Sequence, residues 1–270
     1  MRGSAPRAPE VTGRARGARG LYTYPMTALV IQNDPVAPLG LLSRFLDSPR
    51  VLRAWEDPGA IAPLVERVRA EGAPFDSLVV LGGTADAHAD GKWPWLPDLR
   101  ALIAACAGAG VRVLGVCLGA QLAAVALGGR VDVGAPLGPE CGVTPISWTG
   151  NALSHEDPLI RCLTRTRVVF EDHGDAIGEA PRGSQVLAVS EKYPQAFLAG
   201  SVLGVQFHPE ITEPIARRWQ ESNEDTDTER VIAGYRAHEA ELASTCEALA
   251  QWVARAPVRP SGGGPAAALG

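Results

Sequence analysis

The chain has 270 residues, 25 of them basic against 30 acidic, for a net charge of −5 and a pI near 5.6. That balance argues against a domain-wide electrostatic grip on nucleic acid, and no apolar run approaches the roughly 20 residues that span a bilayer. The five cysteines (Cys106, Cys117, Cys141, Cys162 and Cys246) are scattered, with no CxxC pair and no Cys/His spacing suited to zinc. Neither a metal nor another cofactor is therefore expected, and a reducing, cytoplasmic setting fits the cysteine usage.

Residues 1–25 carry Arg2, Arg7, Arg14, Arg16 and Arg19 among Gly, Ala and Pro without an apolar stretch, which predicts a disordered extension rather than a secretory signal. Met26 is a plausible alternative start. The segment 257–270 reads as a low-complexity flexible tail. Between the ends, ALVIQ (28–32) and SLVVL (77–81) are short apolar runs of the kind that form buried parallel strands. Helical spacing covers 39–46, 61–70 and 96–109. VRVLGV (111–116) is a third strand that runs directly into Cys117-Leu118-Gly119 and a small-residue helix at 120–127. Short β-like runs follow at 167–170, 185–189 and 195–198, then VLGVQF (202–207) as the last strand. The acidic run 221–229 is read as a solvated connection between helices, and 231–253 has an amphipathic helical stripe. Strand and helix alternate with few hairpin signals. The expected fold is α/β, an open, mostly parallel sheet with flanking helices plus a C-terminal helical segment. The expected organisation is one domain over 26–212, with helices over 213–256 packed on it.

The chemistry concentrates where strands run out. In Gly115-Val116-Cys117-Leu118-Gly119 a cysteine sits at a strand-to-helix turn, with glycines two residues to either side. Such a turn lifts a nucleophile above the sheet edge, and its tightness requires small neighbours. The helix N-terminus favours thiolate over thiol, and the Leu118 N–H is placed to meet the oxyanion formed by attack on a carbonyl. The alternative is a structural cysteine at a strand end. Gly204-Val205-Gln206-Phe207-His208-Pro209-Glu210 puts a histidine and a carboxylate past another buried strand. Open α/β sheets bind ligands beyond their strands' carboxyl ends, so both segments converge on one edge. His208 then serves as base and acid, and Glu210 orients the imidazole. Leu81-Gly82-Gly83-Thr84 ends a third strand. Gly83 is a candidate second oxyanion donor; the alternative there is a plain turn.

The blocks LVIQNDPVAPLGLL, DSLVVLGGTADA, VLGVCLGAQLAAVALGG, HGDAI and LGVQFHPEIT together resemble the class I glutamine amidotransferases with a Cys-His-Glu triad, and in particular stand-alone proteins similar to the amidotransferase domain of GMP synthase. The resemblance spans about residues 28–212. It implies a flavodoxin-like fold, with Cys117 as nucleophile, His208 as base, Glu210 as its orienter, and Gly83 and Leu118 as oxyanion donors. It also implies that Gln121 and His173 bind substrate, with Glu140 a further candidate contact. The implied reaction is hydrolysis of the glutamine side-chain amide through a γ-glutamyl thioester, with ammonia passing to a separate synthase. Two alternatives stand beside it: a stand-alone hydrolase of γ-glutamyl peptides or conjugates, and a non-catalytic binding or regulatory subunit. The family often has Pro after the Gly-Gly pair. Thr84 stands there instead, which predicts a less rigid oxyanion loop.

Several other residues have plainer readings. Asp34 is expected at a helix-entry turn, Cys106 and Cys246 in the core, and His88, His155 and His238 in solvent. Trp93 and Trp95 are expected to pack under a loop.

Overall fold

The computed structural model describes residues 27–223 and 226–255. The expectations for 1–25 and 257–270 lie outside them. In chain order the strands are β1 (Ala28–Gln32), β2 (Arg50–Arg53), β3 (Ser77–Val80), β4 (Arg112–Val116), β5 (Arg130–Asp132), β6 (Glu140–Pro145), β7 (Ser147–Trp148), β8 (Val168–His173), β9 (Ala176–Glu179), β10 (Gln185–Val189), β11 (Pro194–Ala199) and β12 (Val202–Val205). The α-helices are α1 (Ala62–Glu71), α2 (Leu96–Gly108), α3 (Leu118–Ala126), α4 (Gly150–Leu153), α5 (Pro158–Leu163), α6 (Glu213–Glu221) and α7 (Thr228–Val253).

An eight-stranded sheet runs in the order β2-β1-β3-β4-β12-β11-β10-β7. Its first five strands are parallel, and the remaining pairings are antiparallel. Two antiparallel pairs, β5–β9 and β6–β8, lie outside this sheet. The open, mostly parallel sheet read from the sequence is therefore present.

Every residue of β1, β3, β4 and β12 is buried. Successive side chains on a strand point to opposite faces, and the core divides accordingly. Leu29, Ile31, Leu78, Val80 and Val113 pack with Val65, Val68, Leu99, Leu102, Ile103 and Leu122 of α1–α3. Val30, Val79, Leu114, Val116, Leu203 and Val205 pack with Cys246, Leu249, Trp252 and Val253 of α7. The C-terminal helix is thus one of the layers that cover the sheet. Asp227 caps its N-terminus by accepting a hydrogen bond from the Arg230 N–H. Among the described residues no helix is long and apolar enough to cross a membrane.

Local readings differ from the structure in a few places. The apolar spacing at 39–46 forms a short 3-10 helix, Gly40–Arg44. Strand β2 has no apolar run because it is a largely exposed edge, Arg-Val-Leu-Arg. The helix after Cys117 starts at Leu118, two residues earlier than its small-residue pattern suggests.

Trp252 is 1% exposed and carries the Arg112 guanidinium over its ring at 4.6 Å. Trp252→Ala is expected to cost about 3–5 kcal/mol of stability, read as a lower urea midpoint at unchanged m-value. A cost within experimental error would contradict the placement of α7 as a core layer.

Candidate active site

Strand β4 ends at Val116, and α3 begins at Leu118, so the whole turn falls on Cys117. Its backbone has φ +49° and ψ −109°, in the positive-φ region that L side chains rarely adopt. The flanking glycines make this turn possible. A Cβ on Gly119 would lie 2.0 Å from the Val80 carbonyl oxygen, and one on Gly115 would lie 2.6 Å from the Gly119 carbonyl oxygen. No side chain fits at either position. The Cys117 N–H donates to the Val205 carbonyl at 2.9 Å, tying the elbow to β12.

Beyond β12 the chain delivers His208 and Glu210 to the same edge. The His208 N–H donates to the Phe170 carbonyl at 2.8 Å, and the Leu41 N–H donates to the Glu210 carbonyl at 2.8 Å. His208 Nδ1–H donates to Glu210 Oε1 at 2.8 Å, with both side chains buried. With Nδ1 turned to Glu210, Nε2 is the ring nitrogen left for Cys117. Trp219 meets the imidazole edge-on at 4.7 Å between centroids, and its Nε1–H donates to the Val36 carbonyl at 2.7 Å. Gly82 sits against both side chains: a Cβ there would come within 3.1 Å of His208 Cε1 and 3.5 Å of Cys117 Cβ. Burial works against a charged imidazole, but the Glu210 carboxylate and the Cys117 sulfur outweigh it, so the His208 pKa is raised well above its ordinary value.

These groups open onto a cavity of ≈ 690 Å³ whose lining includes Gly83, Thr84, Cys117, Gln121, His173 and His208. Cys117 is the only cysteine in that lining. Cys106 and Cys246 lie in the core as expected, and burial pushes both thiols up, that of Cys106 to about 12. Gln121 is buried, and its Nε2 donates to the Asp175 carbonyl at 3.0 Å and to Gln206 Oε1 at 3.4 Å. Gln206 Nε2 in turn donates to Cys117 Sγ at 3.8 Å. His173 lines the cavity; its Nδ1 bonds with the Asp175 carbonyl at 2.9 Å, while its Nε2 lies 3.3 Å from carboxylate oxygens of Glu140 and Glu171 without a hydrogen bond.

Thr84, standing where the resemblance leads one to expect a proline, is held by a side-chain clamp. Asp34 Oδ2 accepts from Thr84 Oγ1 at 2.5 Å and from the Thr84 N–H at 3.2 Å. Asp34 Oδ1 accepts from the Val36 N–H at 3.0 Å. Asn33 Nδ2 donates to the Leu81 carbonyl at 2.7 Å, and Asn33 Oδ1 accepts from Trp95 Nε1–H at 3.2 Å. Trp95 therefore packs under the loop, as expected, with Trp93 edge-on at 5.4 Å. Asp34 is a clamp rather than only a turn residue. No sequence pattern signals this, since Asp34 and Thr84 lie on different strand ends. Glu171 and Trp219 likewise lie outside the motifs, and Gln206, though inside the Gly204–Glu210 block, carries no sign of a role there.

A family model for class-I glutamine amidotransferases matches residues 61–217. The chain belongs to the class-I glutamine amidotransferases. It is 37% identical over 139 residues to the glutamine-hydrolysing GMP synthase of Corynebacterium ammoniagenes, covering 50% of this chain and 24% of that protein. It is 39% identical over 104 residues to one subunit of the glutamine-hydrolysing GMP synthase of Saccharolobus solfataricus, covering 37% of this chain and 52% of that one. The chain thus spans about a quarter and about half of these two curated relatives. A glutamine amidotransferase structure from Thermotoga maritima superposes with a TM-score of 0.68 at 24% identity, over 85% of this chain and 99% of that one. The last comparison shows a shared fold.

The charge on His208 is the site's most accessible electrostatic observable. Replacing Glu210 with Gln removes the carboxylate that favours the imidazolium, so the His208 pKa falls. Histidine NMR titration of wild type and Glu210→Gln measures it. An unchanged or raised pKa in the variant would show that Glu210 is not the imidazole's electrostatic partner.

Proposed function

We propose that the chain hydrolyses the side-chain amide of glutamine through a γ-glutamyl thioester on Cys117, releasing ammonia and then glutamate. The observation that carries this reading is the His208–Glu210 pair, held at 2.8 Å and packed with the strained Cys117 around Gly82.

The Cys117 thiolate attacks the amide carbon, forming the C–S bond. The oxyanion is received by the N–H groups of Leu118, at the start of α3, and Gly83. His208, as imidazolium, gives its Nε2 proton to the amide nitrogen, the C–N bond breaks, and ammonia leaves. Neutral His208 then takes a proton from water as the water attacks the thioester. The tetrahedral intermediate collapses, the C–S bond breaks, and glutamate leaves with the thiolate restored. Glu210 keeps Nδ1 protonated, so Nε2 faces the reaction throughout. Gln121 and His173 form the substrate wall. The named relatives are glutamine-hydrolysing GMP synthases or part of one, which supports delivery of ammonia to a separate synthase.

A second reading keeps the same chemistry and changes the leaving group. The cavity extends past Cys117 and His208 to Arg218, Trp219 and Ser222 on and after α6, and at ≈ 690 Å³ it has the size of a site for a drug-sized ligand. A γ-glutamyl peptide or conjugate would place its amine portion there.

Glutamate release measured across glutamine and a panel of γ-glutamyl amides and peptides tests both readings. Cys117→Ala is expected to lower release on the order of 10⁴-fold or more while the protein stays folded. Wild-type-like release by that variant would refute the nucleophile. Preference for glutamine over the conjugates supports the first reading, and the reverse supports the second. If the Asp34–Thr84 clamp orients the oxyanion loop, Thr84→Val lowers kcat by about tenfold, since removing a whole oxyanion donor costs about 10²–10³. Unchanged kcat would dispense with the clamp. On the alkaline side, activity falls as His208 loses its proton, and in Glu210→Gln that limb of the kcat profile shifts to lower pH. A shift in the opposite direction would contradict the acid role of His208.

A further inference from the structure

Below the cleft wall lies a charged cluster that the triad does not use. Glu171 and His173 are two residues apart on β8 and so point to the same side of the strand. β6 pairs with β8 in a register that sets Glu140 directly opposite His173 and Gly142 opposite Glu171. The side chains of Glu140, Glu171 and His173 are 5%, 0% and 1% exposed. Glu140 Oε2 also accepts from Gln195 Nε2 at 2.7 Å. Neither carboxylate oxygen of Glu171 has a hydrogen-bond partner among the described residues. A fully buried carboxyl without such partners is costly and calls for an explanation. His173 Nε2 is likewise without a hydrogen-bond partner among the described residues and lies 3.3 Å from carboxylate oxygens of both Glu140 and Glu171, so the contact that answers the buried carboxyl is a charge pairing.

The cluster connects to the nucleophile. His173 Nδ1 and Gln121 Nε2 converge on one acceptor, the Asp175 carbonyl, at 2.9 and 3.0 Å. Gln121 also reaches Gln206, and Gln206 reaches Cys117 Sγ. Nδ1–H donating to a carbonyl, with Nε2 set between carboxylates, favours the doubly protonated ring. Burial opposes that charge, but Glu140 and Glu171 outweigh it and raise the His173 pKa to about 10. The donors of Gln121 are spent on the protein side, which leaves Oε1 as its group available to a ligand. The three side chains are not arranged to hold a metal ion.

We propose that Glu140, His173 and Glu171 form a positioning unit that anchors the Asp175 carbonyl and thereby fixes the amide of Gln121 for substrate binding in the Cys117 cleft. The unit deepens the glutaminase reading and rests on it. His173 acts through the carbonyl it holds and makes no contact of its own with the reacting atoms.

The test compares wild type, Glu140→Gln, His173→Ala, Gln121→Ala and the Glu140→Gln/Gln121→Ala double variant. The measurements are kcat and KM for glutamine, together with the rate at which iodoacetamide alkylates Cys117 in the absence of substrate. Glu140→Gln and His173→Ala are expected to raise KM by about tenfold or more, with alkylation within about twofold of wild type. The double variant should lose little beyond Gln121→Ala alone, because residues acting through one group are not additive. KM values within about twofold of wild type, or additive losses in the double variant, would overturn the proposal. Should His173→Ala fail to fold, the near-isosteric Glu140→Gln carries the test. A wild type that neither releases glutamate nor has Cys117 protected from alkylation by glutamine would reject the glutaminase reading, and the positioning unit with it. An active wild type with indifferent variants would reject the unit alone.

Discussion

The backbone of one residue governs this molecule. Cys117 is held at φ +49°, a conformation that costs a non-glycine residue on the order of 1–3 kcal/mol. It persists because its surroundings leave no alternative. β4 is pinned between β3 and β12, α3 begins at the next residue, and the Val80 carbonyl presses where a Gly119 side chain would be. Sheet, helix and glycines together hold the sulfur at the edge of the sheet, at the start of a helix. His208 and Glu210 reach it because β12 is the parallel neighbour of β4, so both strands end on one side. The parallel sheet is thus the device that brings residues 117 and 208 together. The two core layers, α1–α3 on one face and α7 on the other, keep it rigid.

Around Cys117 the buried polar groups are arranged in successive shells. Cys117 and His208 line the cavity, and Asp34 with Asn33 holds the Gly82–Thr84 turn from one side. Gln121 and Gln206 bridge to the sulfur on the other, with Glu140, His173 and Glu171 beneath them. In the proposed reaction such layered hydrogen bonding would supply fixed dipoles without reorganisation.

The parts of this arrangement legible in the sequence are the local ones. Gly-Val-Cys-Leu-Gly after an apolar strand encodes a sharp turn within five residues, and His208-Pro209-Glu210 places a ring and a carboxylate two residues apart. Buried parallel strands advertise themselves as short apolar runs. The parts that stay hidden depend on pairings across the chain. The Asp34–Thr84 clamp joins the ends of β1 and β3, and the Glu140–His173 contact depends on the register of β6 and β8. Neither leaves a periodic signal. β2 escapes notice because an exposed edge strand needs no apolar pattern. The role of α7 as a full layer is only half visible, because an amphipathic stripe shows that a face is buried without showing what it covers.

Covalent chemistry at Cys117 is the centre of the proposed mechanism. The direct measurement is intact-protein and peptide mass spectrometry after rapid acid quench of the protein turning over glutamine, in wild type and in His208→Asn. The predicted result is a mass gain of one γ-glutamyl group on the peptide bearing Cys117. Glutamate formation with no such adduct in either protein, or an adduct on a different residue, would contradict it.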